Sequence, residues 1–263
     1  MITVLGGDKR QKELAKLLNA NFNTLYLDGS NDFSEIKNYI SLSKAVVFPY
    51  PFSRDKITIS TTKYDILKIK EALRQDCVVF GGGILNFFEN KTIDYAKDEN
   101  FLLKNALYTA EGATLIAKQN TNYSLSDLNI LIVGNGRIGK YLSKILSAYC
   151  EKITVSARKQ SDFDYLKTRS LKYFHTNKQE NLSEFDLIFN TVNQKALNDI
   201  AIKSIKNDVL IIDLASKNSG LFKEQNYIDA KALPTKFCAL SSAKAIYNII
   251  CNTLKKRWLI WIM

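Results

Sequence analysis

The chain has 263 residues, 46% hydrophobic and 24% charged, with three prolines, a composition that buries a sizeable core, points to about two domains and excludes a disordered polymer. Basic residues exceed acidic ones to leave a formal charge of +11, but they are scattered, and the densest group is the short KKR at 255–257, so no nucleic-acid partner is expected. The four cysteines lie far apart without a CxxC pair or a neighbouring histidine, which argues against a zinc site or a disulfide frame; reduced core cysteines and no metal are expected.

The opening MITVLGG reads as a strand, Ile2 to Leu5, followed by a glycine turn, without the basic segment and long apolar run of a signal peptide. No apolar run approaches the roughly twenty residues of a membrane span, so no membrane association is expected and a cytoplasmic location is. Gln11 to Leu18 reads as a helix with Leu14, Leu17 and Leu18 on one face. Further strands are expected around Tyr26 and Leu27, in KAVVFPYP at 44–51 and in DCVVFGGG at 76–83, the last preceded by a helix over Thr61 to Leu73. Strands alternating with helices imply a parallel sheet.

After Ile93 the alternation gives way to a longer passage ending in a predicted helix from about Ala110 to Lys118. A second alternation follows: NILIVGNG, a helix over Lys140 to Ala148, KITVSAR, a helix near Phe163 to Leu166, FDLIFNTV, a helix near Lys195 to Ile205, DVLIIDLAS and KALPT. Ser241 to Arg257 reads as a final helix with Ala245, Ile246, Ile249, Ile250 and Leu254 on an apolar face, ending in WLIWIM. The expected fold class is therefore α/β with two doubly wound parallel-sheet domains. The first is a flavodoxin-like, substrate-side domain over 1–120; the second is a Rossmann dinucleotide-binding domain over 121–240. The helix of 241–263 is expected to pack back on the first domain or on a neighbouring copy in a homo-oligomer.

Within LIVGNGRIGKYLSKIL, Gly134, Gly136 and Gly139 complete GxGxxG between a strand and a helix. In such a unit the first glycine permits a tight turn, the second admits a pyrophosphate against the backbone and the third lets the helix close on the strand. Backbone N–H groups around Arg137 and Ile138 then face the phosphates. An NAD site places an acid about twenty positions further on. Ser156 stands there instead, followed by Arg158 and Lys159, a set that suits a 2′-phosphate, so NADP is expected, with NAD the alternative.

With that site placed, TAEGATLIA at 109–117, VGNGRIGKYL, ITVSAR, FNTV at 189–192, IIDLASK at 211–217 and the opening VLGGDKRQ occur in an order that resembles the A subunit of bacterial dipicolinate synthase. The resemblance spans nearly the whole chain and is densest over 109–217. It implies a build related to the D-2-hydroxy-acid dehydrogenases and a pyridine-nucleotide-dependent conversion of a dihydrodipicolinate-type compound, or its hydroxylated tetrahydro precursor, to dipicolinate in sporulation. The substrate it implies is a small dicarboxylate, and the partner is the flavoprotein-like B subunit of dipicolinate synthase. The chain departs from the family pattern at Asn218, Ser219 and Gly220, at Thr235 after Pro234, and in ALSSAKA before the last helix.

Forming an aromatic pyridine is downhill, so the protein's expected task is to position a ring carbon and neutralise carboxylates. The resemblance turns Thr109 and Glu111, read as the start of a helix, into residues facing the substrate, with Glu111 the candidate for proton transfer. Asn190 and Thr191 end one strand, and Ala215, Ser216 and Lys217 end the next, on the carboxyl edge where ligands collect; Lys217 is a candidate carboxylate partner and Ser216 a substrate contact. Pro49 and Gly82 end strands of the first domain and supply the opposite substrate wall, Gly82 through its backbone. The only histidine, His175, falls at the end of the third strand of the second domain, where a structural or cofactor-edge role is expected. Two other readings stay open: a D-2-hydroxy-acid dehydrogenase, weakened by the missing catalytic histidine, and a catalytically silent nucleotide-binding partner or scaffold.

Overall fold

Short aliphatic runs buried on both faces are the mark of parallel sheet, and two such sheets organise the chain. A computed structural model describes residues 1–84, 87–89, 91–178, 181–193, 197–215 and 226–258. They form two units, Met1–Asn105 with Cys238–Met263, and Ala106–Phe237.

In the first unit the order is β1 (Ile2–Leu5), α1 (Lys9–Asn19), β2 (Thr24–Leu27), α2 (Phe33–Leu42), β3 (Ala45–Val47), α3 (Ile66–Ala72), β4 (Val78–Gly81) and β5 (Thr92–Asp94). All pairings are parallel in the order β2-β1-β3-β4-β5, the flavodoxin-like winding. Alternate residues serve opposite faces: Val4, Val47 and Phe80 join one core and Leu5, Val46 and Val79 the other. The second core is closed by Ile36 and Ile40 of α2 and Ile66 and Ile69 of α3.

α4 (Glu99–Gln119) carries the chain into the second unit. There follow β6 (Ile130–Val133), α5 (Arg137–Leu146), β7 (Ile153–Ala157), α6 (Gln160–Thr168), β8 (Lys172–His175), β9 (Leu187–Asn190), α7 (Asp199–Lys203), β10 (Leu210–Asp213), β11 (Asn226–Asp229) and α8 (Leu233–Phe237). The sheet is parallel in the order β11-β10-β9-β6-β7-β8; counted within the unit this is the Rossmann order. α9 (Ala239–Trp258) belongs to the first unit, where Ala243, Ile246, Ile250 and Leu254 share a core with Leu14 and Leu18 of α1.

Two expectations are corrected and two elements are added. The helix placed at 110–118 begins at Glu99, because the Asp98 carboxylate accepts the N–H of Phe101 at 2.8 Å and caps it. The helix placed at 61–73 shrinks to Ile66–Ala72: Thr61 is left-handed at φ 67°, and Asp65 caps the later start by accepting the N–H of Leu67 at 2.7 Å. α2 and β5, unannounced in the sequence pattern, complete the first sheet and its helical cover. Among the described residues no helix is long and apolar enough to cross a membrane.

Candidate functional site

The geometry around GNGRIG assigns each glycine a separate job. Gly134 has φ 100°, and a Cβ there would lie 2.6 Å from Cγ1 of Val192 and 2.8 Å from Oγ1 of Thr191. At Gly139 a Cβ would stand 2.1 Å from the carbonyl oxygen of Gly134, so only glycine lets α5 close on the end of β6. At Gly136, by contrast, a Cβ would meet nothing within 4 Å. Gly136 is the N-cap of α5 and makes no side-chain cap, which leaves its first turn, with Arg137 and Ile138, to present backbone N–H groups towards an anion. Beside it, Asn135 is 6% exposed and donates to Asp162 at 3.2 Å, while its own Oδ1 has no partner.

Thr191 braces this turn: its N–H and hydroxyl donate to the Val133 carbonyl at 3.0 and 2.9 Å. Its neighbour Asn190 is committed elsewhere. The Asn190 amide donates to Asp213 at 2.9 Å, Asp213 also accepts the Ala215 N–H at 2.9 Å, and the Tyr227 hydroxyl donates to its other oxygen at 2.9 Å. Burial and that hydrogen bond push the Tyr227 phenol well above its ordinary value, so it stays protonated and donates. Asn190 and Ala215, expected at the ligand edge, both bond to Asp213, through which Asn190 and Tyr227 tie the ends of β9 and β11 to β10. The sequence reading missed Asp213 and Tyr227; the acid ending a run of aliphatic residues was the signal that could have found them. Ser216 and Lys217 lie outside the described residues.

Ser156 is also placed differently from expectation. It is fully buried and its oxygen lies 3.2 Å from the Thr176 hydroxyl, because it sits one residue before the end of β7, pairing with Phe174. Arg158 and Lys159 follow in the open, both exposed, and Arg158 has no hydrogen-bond or ion-pair partner among the described residues. His175 pairs with Ala157 at the neighbouring strand end, its Nδ1 accepting the Asn177 N–H at 3.3 Å and its ring 6.1 Å from that of Phe163. The edge of the sheet that follows the glycine strand thus carries basic groups and no carboxylate in the position of an NAD-type acid.

Thr109 and Glu111 are mid-helix, not at a helix start. Two residues apart on an α-helix, they point about 200° apart: Thr109 is buried and Glu111 exposed. The pair cannot act on one ligand face, and the uncapped N–H groups expected beside them are inside the α4 ladder.

At the carboxyl edge of the first sheet Gly82 is likewise spoken for. Its N–H donates to the Pro49 carbonyl at 3.3 Å and its carbonyl accepts from Phe52 at 2.8 Å, so it has no donor left for a carboxylate. It is glycine because a Cβ would strike the rings of Tyr50, at 2.2 Å, and Tyr95, at 2.8 Å. Pro49 is buried. Across the same edge, polar side chains unremarked in the sequence gather after Gly6 and Gly7: Arg10, 4% exposed, with its Nε unpartnered, and Gln11, 0% exposed, with neither amide atom partnered. Among the described residues no group of three or more His, Cys, Asp or Glu is placed to hold a metal.

The second unit has the strand order and glycine turn of a Rossmann domain, and the first is a flavodoxin-like parallel sheet. Nearly the whole chain is similar to the A subunit of dipicolinate synthase, as the sequence motifs suggest. Residues 1–97 match the family described as the N-terminal domain of the dipicolinate synthase A subunit. The dipicolinate synthase A subunit of Bacillus subtilis (strain 168) is 25% identical over 283 residues, covering 97% of this chain and 94% of the relative. The crystal structure of the dipicolinate synthase A subunit from Bacillus halodurans superposes with a TM-score of 0.79 at 19% identity, covering 96% of this chain and 97% of the other. The apo structure of D-lactate dehydrogenase from Escherichia coli has the same build, with a TM-score of 0.59 at 13% identity over 97% of both chains.

Proposed function

We propose that this chain is a pyridine-nucleotide-dependent oxidoreductase of the kind represented by the dipicolinate synthase A subunit. Its reaction is the oxidation of a dihydrodipicolinate-type compound, or the hydroxylated tetrahydro precursor, to dipicolinate in the cytoplasm of a sporulating cell, with the flavoprotein-like B subunit as partner. The observation that carries the nucleotide reading is the contrast among three glycines: two are sterically obligatory within the fold, whereas Gly136, the N-cap of α5, faces open space. A folded chain gains nothing from glycine there; a phosphate approaching the backbone does.

The residues that hold the nucleotide in this reading are Gly134, Gly136 and the N–H groups of Arg137 and Ile138 at the pyrophosphate. Asn135, whose buried Oδ1 lacks a partner, lies beside them. Arg158 and Lys159 take the 2′-phosphate in place of Ser156, which is enclosed. The bound nucleotide supplies the hydride acceptor. The protein's own share is to bind and orient the ring and to neutralise its carboxylates, with Lys217 a candidate for the latter. The exposed carboxylate of Glu111 remains the candidate proton acceptor; the buried Thr109 does not.

The test is to mix the purified chain, with and without the B subunit, with NADP or NAD and the precursor, and to follow reduced nucleotide and pyridine absorbance together. Coupled appearance of both is expected, and their absence with the partner present overturns the reading. Titration of both nucleotides decides the choice between them: Arg158→Ala should lose most of a preference for NADP, a charge-assisted contact being worth roughly 1.5–3 kcal/mol. A wild-type chain that prefers NAD refutes it.

A further inference from the structure

α1 starts at the carboxyl edge of β1, behind Gly6 and Gly7, both with positive φ. Asp8 caps it by accepting the N–H of Arg10 at 3.0 Å. The Arg10 guanidinium is enclosed: one Nη donates to the Tyr50 carbonyl at 2.6 Å and lies 3.3 Å from the Asp8 carboxylate, and the group sits 5.6 Å from the Tyr50 ring centroid. Its Nε has no partner. Gln11 is more deeply placed, and neither its Oε1 nor its Nε2 is hydrogen-bonded. The space occupied by its side chain is fixed by Gly7, where a Cβ would fall 2.1 Å from Gln11 Cγ and 3.3 Å from Pro49 Cβ. Gln11 therefore lies under the glycine turn beside Pro49, where β1 and β3 end.

Three buried orphan atoms on adjacent residues of one helical turn are expensive. A polar group left unsatisfied in the interior costs about 1–3 kcal/mol, whereas an apolar side chain of similar shape costs nothing of the kind. Leucine or methionine at 11 would fill the same volume without that penalty, so the amide costs the free fold stability. A ligand that brought the missing partners would offset that cost.

We propose that this corner of the first unit binds a small carboxylate whose neighbouring atom carries an N–H or O–H. The donor set dictates the class. Arg10 Nε and Gln11 Nε2 donate to the carboxylate oxygens, the positive end of α1 adds to their attraction, and Gln11 Oε1 accepts from the adjacent donor. A bare carboxylate leaves Oε1 orphaned, and a ring nitrogen without hydrogen sets a lone pair against it. The partly exposed Gly7 and Asp8 form the side from which the ligand enters. That this ligand is the oxidised substrate rests on the proposed function; that it binds here does not.

The test titrates the full chain, without nucleotide, with three six-membered-ring acids: piperidine-2-carboxylate, pyridine-2-carboxylate and cyclohexanecarboxylate. Binding is read by the shift in Tm and by calorimetry. Piperidine-2-carboxylate is expected to raise Tm saturably and to bind best. Gln11→Leu and Gln11→Met should each raise the Tm of the ligand-free chain and weaken piperidine-2-carboxylate by on the order of tenfold or more, since the bonds of both amide atoms are lost. The proposal is overturned if none of the acids binds, if all three bind equally, if both variants bind as the wild type does, or if both lower the ligand-free Tm. NADP affinity measured on the same samples separates the two readings. Loss of nucleotide binding in the wild type defeats the oxidoreductase assignment and leaves the carboxylate titration standing.

Discussion

Replacing Gly136 by valine separates a fold requirement from a ligand requirement. The backbone at 136 is extended, with φ −75° and ψ −168°, which any residue adopts, and no atom lies within 4 Å of the added Cβ. A surface change of this kind alters stability by about 0.5 kcal/mol or less, or about 1–2 °C in Tm for a chain of this size. For a bound pyrophosphate the consequence is different, because the branched side chain fills the space through which phosphate reaches the first-turn N–H groups. Losing two charge-assisted hydrogen bonds at roughly 1.5–3 kcal/mol each weakens binding by about two to four orders of magnitude. Calorimetric titration with NADP and NAD, alongside thermal denaturation, measures both quantities on one sample. Unchanged affinity at unchanged Tm refutes the pyrophosphate assignment, and a large fall in Tm refutes the claim that the space above Gly136 is open.

Gly139→Ala should do the reverse, lowering stability by about 3 kcal/mol, the upper range of overpacking costs, since its Cβ would stand 2.1 Å from a backbone oxygen; equal denaturant midpoints for variant and wild type would contradict this. Asp55 accepts from the Thr58 hydroxyl at 2.7 Å, the Thr58 and Ile57 N–H groups at 2.8 Å and Ser53 at 3.0 Å, which hold its carboxyl well below the usual carboxylate range. A lowered folded pKa stabilises above the unfolded value of about 4 and is lost as pH falls beneath it. The Tm gap between wild type and Asp55→Ala should therefore be constant from pH 5 to 7 and close as the pH drops from about 4; a gap that widens in acid sinks the account. Burial first, and the charge of Asp76 second, push the Cys77 thiol up to about 12, so iodoacetamide at pH 8 should alkylate the partly exposed Cys238 long before Cys77, as peptide mass mapping would read.

The strands were legible wherever both faces are buried, because unbroken aliphatic runs such as ILIV and LIID admit few other readings. Helix limits were not, since they depend on caps: Asp65 and Asp98 each moved a start through a side-chain bond that periodicity does not register. The glycines of GNGRIG fell where spacing put them, yet spacing said nothing of which one leaves space unfilled. Ser156 is enclosed: counting from a glycine locates a strand end to within a residue, and one residue in a strand exchanges the two faces. Asn190 and Gly82 have bonds that the sequence does not show. Both stand at the carboxyl ends of their strands, and their hydrogen-bonding groups are taken up by Asp213, Pro49 and Phe52, partners distant in sequence. Arg10 and Gln11 look in sequence like ordinary polar helix residues, and only their burial distinguishes them.

The second unit is a single uninterrupted stretch of chain, whereas the first is made from two stretches that lie on either side of it in sequence. During synthesis this inverts the order of completion. The second unit has all its strands and helices once residue 237 has emerged, while the early segment still lacks α9, whose Ile246, Ile250 and Leu254 complete the core that Leu14 and Leu18 begin. The earlier stretch of the first unit thus waits longer for its packing partners than the second unit does, with one side of α1 wet in the interval. A nascent chain stalled before α9 should engage chaperones through that side of α1, and release of the last helix should end the engagement.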